Sequence, residues 1–376
     1  MRKRKVLQLI WGMNEGGAQS VVRDYALGID KNKFYIEIVS VLPKLSNIYI
    51  DDLEHAGIRI HYIYRRWNVF SRSFHHFFGD RFIQSKLSRI VERLEPDIIH
   101  VHLYGLRHIA KIHLDSRIRI FYTCHGEPHR YFSNPSSLDF VAAKTLLERR
   151  QLTLIALHKD MQCKLNEMFG VSNTIVLGNG VNINSFLPSS VFKTKEEIRK
   201  DCNIPPDSFL IGHIGRFVKA KNHLFLLEIF KKCLQINSNC FLLLVGSGEL
   251  KSKIVEKISE MEIGDRVLLL SNRKDIPQLL KSMDVFVFPS VTEGFPVTLI
   301  EAQAARIPCV VSDVVTDEAI VAQNVKVLSL NNDVNIWAQN CLQFKPSIDD
   351  KCELDKYSVE NVISSLEKIY LGEIDN

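Results

Sequence analysis

The chain has 376 residues, which suggests about two domains, and its composition is that of an ordinary globular protein. It contains no run of 18 apolar residues, so the sequence predicts no transmembrane helix. Its eight cysteines form no C-x-x-C motif, as is typical of reduced cytoplasmic cysteines.

The positive charge is concentrated in the first part of the chain. Residues 1–150 carry 24 Lys and Arg against 15 Asp and Glu, whereas the remainder carries 24 against 28. This asymmetry predicts that one domain meets an anionic surface or acceptor. Nucleic acid is the main alternative, but the sequence has no helix-turn-helix, zinc-finger or RNP-type signature, so we expect no nucleic-acid partner.

The basic start of the chain imitates a secretory signal. Arg2–Lys5 is followed by the apolar run Val6–Trp11, which is too short for a signal peptide and has no small-residue cleavage site after it. We therefore expect a first strand behind a basic tail, in a cytoplasmic protein.

The first half alternates strand and helix patterns. The predicted strands are Val6–Trp11, Phe34–Leu42, Ile58–Ile63, Asp97–His102, Ile118–Thr123 and Leu152–Leu157, and this half closes with Asn173–Leu177 and the turn Gly178-Asn179-Gly180. The predicted helices are Ala18–Gly28, Asn47–His55, Arg81–Leu94, Gly105–Leu114 and Leu138–Arg150. This alternation predicts an α/β fold, with a doubly wound parallel sheet covered by helices on both faces.

A second unit of the same kind follows. Its predicted strands are Phe209–Gly215, Phe241–Val245, Val267–Leu270, Val285–Phe288 and Cys309–Ser312. Its predicted helices are Asn222–Gln235, Leu250–Met261, Ile276–Met283 and Pro296–Arg306, and Val359–Tyr370 is predicted as a last helix. The pattern predicts domains at 1–180 and 207–355, a linker at 181–206 and a C-terminal helix within 356–376. Ligands of open α/β sheets bind at the carboxyl ends of strands, so we expect a site in a cleft between two facing domains.

The stretch from Glu293 to Glu301 places two carboxylates around a predicted strand-to-helix loop. Pro296 suits the first turn of a helix, and free N–H groups at a helix start attract phosphates. Two carboxylates would repel a bare phosphate but would accept hydrogen bonds from sugar hydroxyls. Spacing alone favours the simpler interpretation, in which Glu293 is a loop acid and Glu301 a solvated helix residue.

Two cations follow the strand Phe209–Gly215. Arg216 and Lys221 could clamp a diphosphate at the same sheet edge as Glu293, although solvated cations are the commoner case. Gly246-Ser247-Gly248 also follows a strand, but Lys251 occupies the place of the third glycine, so we expect no nicotinamide cofactor.

Glycines and a histidine mark two loops of the first half. Gly16 and Gly17 lie at a strand-to-helix turn where a ligand could approach the backbone, but Ala18 stands where a Walker A loop needs Lys. His125 could contact a ligand. A metal site formed by His125 and His129 is disfavoured, because Pro128 between them prevents one helix from presenting both rings. His100 and His102 are expected to pack in the protein interior. The chain has no Asp-x-Asp motif, so we expect no metal.

The segment Arg81–Leu94 predicts a basic amphipathic helix. Such a helix can lie on an anionic bilayer, or it can be an outer helix that packs on the sheet, and the sequence leaves both open.

Taken in chain order, these motifs resemble the glycosyltransferase family 4 pattern on the GT-B fold, and within it bacterial exopolysaccharide and capsule enzymes. The matching stretches are Gly16–Gln19, the hinge Asn179-Gly180-Val181, Gly215–Phe217 with Lys221-Asn222, Gly246–Glu249 and Glu293-x7-Glu301.

The resemblance implies roles for individual residues. Arg216 and Lys221 would bind the diphosphate of a sugar donor, Glu293 the hydroxyls of the transferred sugar, and Glu301 the ribose. Backbone groups toward sugar and phosphate would come from Gly294, Phe295, Pro296 and Val297. In the first domain, Gly16 and Gly17 would close over the phosphates and His125 would lie beside the reacting sugar.

The resemblance also implies an activity: retaining, metal-independent transfer, without a cofactor, from a nucleotide-sugar that is expected to be a UDP-sugar. The expected acceptor is a lipid-linked oligosaccharide at the inner face of the membrane, in exopolysaccharide, capsule or O-antigen synthesis. Contacts to the nucleobase, near Leu270–Arg273, are poorly specified. A transferase on a small soluble acceptor, a GT-B sugar-nucleotide epimerase and a non-catalytic carbohydrate-binding relative remain open.

Overall fold

A computed structural model describes residues 2–13, 16–45, 47–132, 134–186, 193–346 and 353–373, except for the side chains of residues 70, 72–74 and 77. The chain forms two compact units. The first comprises Met1–Gly180 and Val359–Asn376, and the second comprises Val181–Ser358. Residues 14 and 15 of the first loop, Cys352, and parts of the predicted linker and C-terminal segments lie outside the described residues.

The first unit contains a seven-stranded parallel sheet in the order β3-β2-β1-β4-β5-β6-β7. Its strands are β1 Arg4–Ile10, β2 Phe34–Ser40, β3 Arg59–Tyr62, β4 Ile98–His102, β5 Arg119–Thr123, β6 Leu152–Ala156 and β7 Ile175–Val176. Every residue of β4 is buried because helices cover both faces of the sheet. In register, Ile10 and Thr123 flank His102 on the neighbouring strands.

Eight helices surround this sheet in the described part of the first unit. They are α1 Gly17–Gly28, α2 Ile48–His55, α3 Val69–Leu94, α4 Leu106–Ile109, α5 Pro128–Phe132, α6 Leu138–Glu148, α7 Lys159–Phe169 and the C-terminal helix Val359–Leu371. The prediction that a helix begins at Arg81 was wrong, because Asn68 and Ser71 cap α3 with reciprocal hydrogen bonds. The predicted helix Gly105–Leu114 is only a four-residue turn, and α5 and α7 were not predicted.

The C-terminal helix packs within the first unit. Its apolar face, which includes Leu366 and Tyr370, joins the core formed by β1, β2 and α1. The guanidinium groups of Arg4 and Arg119 donate to the carbonyl oxygen of Tyr370 at 3.2 and 3.0 Å. These cations meet the carbonyls at the end of the helix, where the helix dipole favours positive charge.

The second unit contains a six-stranded parallel sheet in the order β10-β9-β8-β11-β12-β13. Its strands are β8 Phe209–Ile214, β9 Cys240–Val245, β10 Val267–Leu270, β11 Val285–Phe288, β12 Cys309–Ser312 and β13 Val325–Leu328. Its helices are α8 Lys195–Asp201, α9 His223–Ile236, α10 Lys251–Glu260, α11 Ile276–Ser282, α12 Val297–Ala304 and α13 Val334–Gln343. The sequence did not predict β13 or α13. The two parallel sheets confirm the predicted doubly wound α/β class.

The segment predicted as a linker contains a helix, α8, that belongs to the second unit. Thr194 and Glu197 form a capping box at its start. Arg199 is 3% exposed and donates to the Asp284 carboxylate at 2.7 Å, which ties α8 to the start of β11. The described residues after 193 therefore form part of a folded layer.

Both sheets have a topological switch point, where the strand order reverses. It lies between β1 and β4 in the first unit and between β8 and β11 in the second. The carboxyl ends of the strands at such a point leave a crevice where ligands of α/β proteins bind. The loops that follow these strands carry Gly16, Arg216, Lys221 and Glu293–Pro296, whereas Gly17 begins α1, His125 follows β5, and Val297 and Glu301 lie on α12.

Candidate functional site

The loop after β8 carries the two predicted cations of the second unit. Arg216 is exposed, and its guanidinium makes no hydrogen bond or ion pair to any residue that the structure describes, although its backbone carbonyl accepts from the Val218 N–H at 2.8 Å. Lys221 ends a short 3₁₀ turn, Lys219–Lys221, immediately before α9. Asn222 links the turn to the helix with a φ of 55°, a left-handed conformation that asparagine tolerates well.

Two glycines of the second unit hold this loop in place. A Cβ on Gly246 would lie 2.0 Å from the carbonyl oxygen of Gly215, and one on Gly248 would lie 2.5 Å from that of Phe217. The backbones are joined by a hydrogen bond from the N–H of Phe217 to the carbonyl of Ser247, at 2.8 Å. The Gly246–Gly248 motif therefore braces the loop that carries Arg216, a role that the sequence did not predict.

Lys221 and Glu293 form an ion pair across the switch point. The ammonium nitrogen lies 2.7 Å from Oε1 and 2.9 Å from Oε2 of Glu293. The side chains are only 16% and 10% exposed. The ammonium also lies 4.5 Å from the ring centroid of Phe288, the last residue of β11, which adds a cation–π contact. The two loops are further joined by a hydrogen bond from the Val291 N–H to the Ala220 carbonyl, at 2.8 Å.

The loop after β11 leads into α12 and leaves backbone donors at its start. Pro296 occupies the N-cap position and Val297 is the first helical residue. Among the described residues, nothing accepts from the backbone N–H groups of Gly294 and Phe295. The Phe295 ring is anchored against Tyr357, with 4.9 Å between centroids. An anchored loop with free donors at a helix start suits an anionic ligand.

Glu301 lies on α12 and is half-buried. The predicted site residues of the second unit therefore include two cations, Arg216 and Lys221, and two carboxylates, Glu293 and Glu301. A site of this balance does not favour a bare phosphate, whose charge the carboxylates would oppose. It suits a ligand that has both phosphates for the cations and hydroxyls for the carboxylates.

The segment expected to contact a nucleobase follows β10. Ser271 donates from its hydroxyl to the carbonyl of Gly246 at 2.7 Å, and Arg273 donates from Nε to Asp275 at 2.8 Å. Ser271 therefore joins this segment to the Gly246–Gly248 loop. Base contacts in this segment remain a prediction.

In the first unit, His125 follows β5 and pairs with a second histidine. Its Nε2 lies 2.9 Å from Nδ1 of His102, the last residue of β4. Burial lowers the pKa of His125 to about 3, so its ring is neutral near pH 7. His100 packs in the core, as predicted, and shares hydrogen bonds with the hydroxyls of Tyr370 and Thr123 at 2.6 and 2.7 Å. The sequence did not predict the contact of His102 with His125.

Gly16 and Gly17 begin α1 at the end of the loop after β1. Gly16 occupies the N-cap position and Gly17 the first helical position. A Cβ on Gly17 would meet nothing within 4 Å, whereas one on Gly16 would meet the flexible Gln19 side chain at 2.6 Å. Because Gly17 faces open space, the fold itself does not require a glycine there.

The predicted site residues thus form two groups. The second unit brings Lys221 and Glu293 into contact and places Arg216, Gly294–Val297 and Glu301 on the loops and helix around them. The first unit places Gly16, Gly17 and His125 at the carboxyl edge of its own sheet. Within the described ranges, no three His, Cys, Asp or Glu side chains are grouped so that they could hold a metal ion.

The segment Arg81–Leu94 packs its apolar face inside the first unit. Ile83, Leu87, Val91 and Leu94 are buried, whereas Arg81, Lys86, Arg89 and Arg93 are exposed. The helix is therefore an outer helix of the sheet, and its exposed cations remain available to an anionic surface. No helix in the part of the chain that the structure describes is long and apolar enough to cross a membrane.

Comparisons with known proteins identify the family of the chain. The family model "Glycosyltransferase Family 4" matches residues 15–185, and "Glycosyl transferases group 1" matches residues 194–344. A Bacillus subtilis (strain 168) protein named glycosyltransferase EpsF is 26% identical over 348 residues, covering 90% of this chain and 86% of that protein.

Two further relatives carry ligand information in their names. The Escherichia coli UDP-Gal:alpha-D-GlcNAc-diphosphoundecaprenol alpha-1,3-galactosyltransferase is 30% identical over 249 residues, covering 62% of each chain. The crystal structure of Anabaena HepE in complex with UDP and glucose has a TM-score of 0.76 at 17% identity and covers 99% of this chain and 100% of that one. At this identity the structural match supports the fold alone. The chain belongs to the family 4 and group 1 glycosyltransferases and has their GT-B fold, which confirms the predicted resemblance to enzymes of bacterial polysaccharide biosynthesis.

Proposed function

We propose that this glycosyltransferase moves a sugar from a UDP-sugar to a lipid-linked oligosaccharide, with retention of anomeric configuration and without an essential metal ion. The product would be an intermediate of exopolysaccharide, capsule or O-antigen assembly. The observation that carries the proposal is the Lys221–Glu293 ion pair at the switch point of the second unit, beside the unpaired guanidinium of Arg216.

The pair explains how one site can recognise both parts of a sugar diphosphate. Lys221 keeps one N–H donor free for a phosphate oxygen, because an ammonium has three N–H groups and two of them donate to the Glu293 carboxylate. Glu293 keeps lone pairs for hydroxyls of the sugar. Arg216 adds a planar, forked donor that suits phosphate.

The same groups would act on the reaction itself. Breaking the bond between sugar and diphosphate builds negative charge on the leaving oxygens and positive charge on an oxocarbenium-like sugar. Arg216, Lys221 and the free N–H groups of Gly294 and Phe295 would stabilise the leaving diphosphate where that charge develops. Neither Glu293 nor Glu301 is required to act as a covalent nucleophile.

The names of the relatives support the choice of donor and acceptor. The Escherichia coli relative is named for UDP-Gal and for a sugar linked to diphosphoundecaprenol, and HepE was crystallised with UDP and glucose. A lipid-linked acceptor would bring the enzyme to a membrane surface. The exposed cations of α3 are suited to anionic headgroups. Two apolar side chains on the same helix, Val69 and Phe78, are 76% and 58% exposed.

The proposal is tested with purified protein and a panel of nucleotide-sugars. We expect a UDP-sugar to raise the melting temperature, since a ligand that binds only the folded state stabilises it. That sugar should then be transferred to a synthetic polyprenyl-diphosphate-linked saccharide, with the donor's anomeric configuration in the product by NMR and no loss of rate in a chelator. Transfer to small soluble sugars alone, or release of free UDP that never depends on an acceptor, would overturn the proposed acceptor.

Site and membrane variants separate the parts of the proposal. Glu293→Gln should lower turnover by about 100-fold, whereas Glu256→Gln, a matched change at an exposed acid on α10, should not. Replacing Arg81, Lys86, Arg89 and Arg93 of α3 by Gln should abolish co-sedimentation with anionic vesicles at low salt. Wild-type protein that ignores such vesicles at low salt would contradict membrane association.

A further inference from the structure

His102 is a buried residue that the proposed chemistry does not use. It ends β4, has no exposed surface, and lies with its ring stacked on that of His125 at 5.2 Å between centroids. Its Nδ1 is 2.9 Å from Nε2 of His125, and its own Nε2 has no hydrogen-bond partner among the described residues.

The contact constrains where both rings carry their protons. Burial lowers the pKa of His102 well below its usual range and that of His125 to about 3, so both rings are neutral near pH 7. A neutral imidazole carries one N–H, and a hydrogen bond between two ring nitrogens contains one proton. Only two arrangements are therefore possible.

In the first arrangement, His102 donates from Nδ1 to Nε2 of His125, and His125 carries its own proton on Nδ1. In the second, His125 donates from Nε2 and His102 must carry its proton on Nε2. The second arrangement leaves a buried N–H with no acceptor, a situation that folded proteins almost always avoid. The first arrangement leaves only a lone pair unsatisfied at that nitrogen.

The backbone after His102 is also held in one conformation. Leu103 has a φ of 63°, in the left-handed region that a leucine rarely adopts. The buried Tyr122 donates from its hydroxyl to the Leu103 carbonyl at 2.9 Å. Because the Tyr122 hydroxyl holds this turn, the last residue of β4, His102, stays fixed against His125.

We propose that His102 is a positioning residue that fixes His125 in the tautomer protonated on Nδ1, so that His125 presents an N–H donor to a hydroxyl oxygen of the reacting sugar. His125 is half-buried, and its Nδ1 forms no hydrogen bond with a described residue. The substrate contact depends on the proposed function, whereas the tautomer does not.

Nitrogen NMR of histidine-labelled protein tests the tautomer directly. We expect the ring correlations of His125 to show a protonated Nδ1 in the wild type, and in His102→Asn, whose amide nitrogen can replace the donor. In His102→Leu the donor is lost, and His125 should shift toward the Nε2-protonated form. His100→Gln is the matched control, since His100 is an equally buried neighbour that hydrogen-bonds elsewhere, and it should leave the His125 tautomer unchanged.

Kinetics then test the consequence for transfer. His102→Leu should lower kcat by about tenfold with little change in the donor KM, and His102→Asn should restore most of it. An Nε2-protonated His125 in the wild type would overturn the proposal, as would an unchanged His125 tautomer in His102→Leu. If His102→Leu does not fold, the wild-type and His102→Asn spectra decide the question. The predicted tautomer in a protein that transfers no sugar would refute the proposed function alone.

Discussion

The Lys221→Met substitution tests the ion pair at the centre of the second unit. Methionine keeps much of the aliphatic chain but removes the ammonium, which leaves the Glu293 carboxylate without a cation. That carboxylate is 10% exposed and has no other ion-pair partner among the described residues. Removing one partner of a nearly buried pair costs about 3 kcal/mol of unfolding free energy, most of it from the stranded charge.

A double-mutant cycle isolates this contribution. In Lys221→Met/Glu293→Gln no stranded charge remains, so we expect stability within about 1 kcal/mol of the wild type. The coupling should be at least about 2 kcal/mol, because Glu293→Gln alone also leaves the Lys221 ammonium without its partner. The free energies come from urea unfolding followed by a probe in the second unit. The control cycle uses Lys356 and Glu353, an exposed pair of the same unit at 2.9 Å, whose coupling should stay below about 1 kcal/mol. A cost below about 0.5 kcal/mol for Lys221→Met would refute the reasoning, because solvent would then be screening the pair.

Three further predictions concern the glycines and the buried histidines. The Gly17→Ala variant should fold with unchanged or higher stability in thermal melts, since the added methyl group has no neighbour within 4 Å. A donor titration should show lower affinity only if a ligand approaches the backbone of this residue. Gly246→Ala should cost about 2 kcal/mol or more by urea unfolding, because its Cβ would lie 2.0 Å from the Gly215 carbonyl, while Gly264→Ala, whose Cβ would lie 4.0 Å from its nearest neighbour, should not. Stability should also fall between pH 6.5 and 5, because burial lowers the pKa of seven histidines. These are His75, His100, His102, His108, His125, His213 and His223. In this range the unfolded chain binds protons that the folded chain does not. Each histidine that is protonated only in the unfolded chain lowers the free energy of unfolding by about 1.4 kcal/mol per pH unit. Equal urea midpoints at pH 7.5 and 5 would contradict this prediction.

The sequence predicted the sheet strands well because most are buried on both faces and read as short, continuous apolar runs. The edge strand β13 was missed because two of its four residues, Lys326 and Val327, are exposed. Helix α8 was missed although its start carries a capping-box pattern, Thr194-x-x-Glu197, which sequence inspection could have found. The first turns of α3 were missed because their aromatic and basic residues show no single apolar face.

The site was predicted as a set of residues rather than as a geometry. Strand-to-helix loops at Arg216 and Glu293 could be located because parallel strands end at one edge of a sheet. The direct bond from Lys221 to Glu293 could not be predicted, since it depends on the strand order that sets β8 beside β11. The brace at Gly246 and the partnership of His102 with His125 depend in the same way on contacts between loops far apart in sequence.

The central claim is that cations of the second unit bind the diphosphate of the donor. Calorimetry that compares the binding of UDP with that of uridine tests this claim most directly. If Arg216 and Lys221 bind a diphosphate, Arg216→Ala should weaken UDP binding by about tenfold or more and leave uridine binding unchanged. Lys219→Ala, which removes an exposed cation from the same loop, should leave both unchanged. Equal affinity of the wild type and Arg216→Ala for UDP would contradict the account.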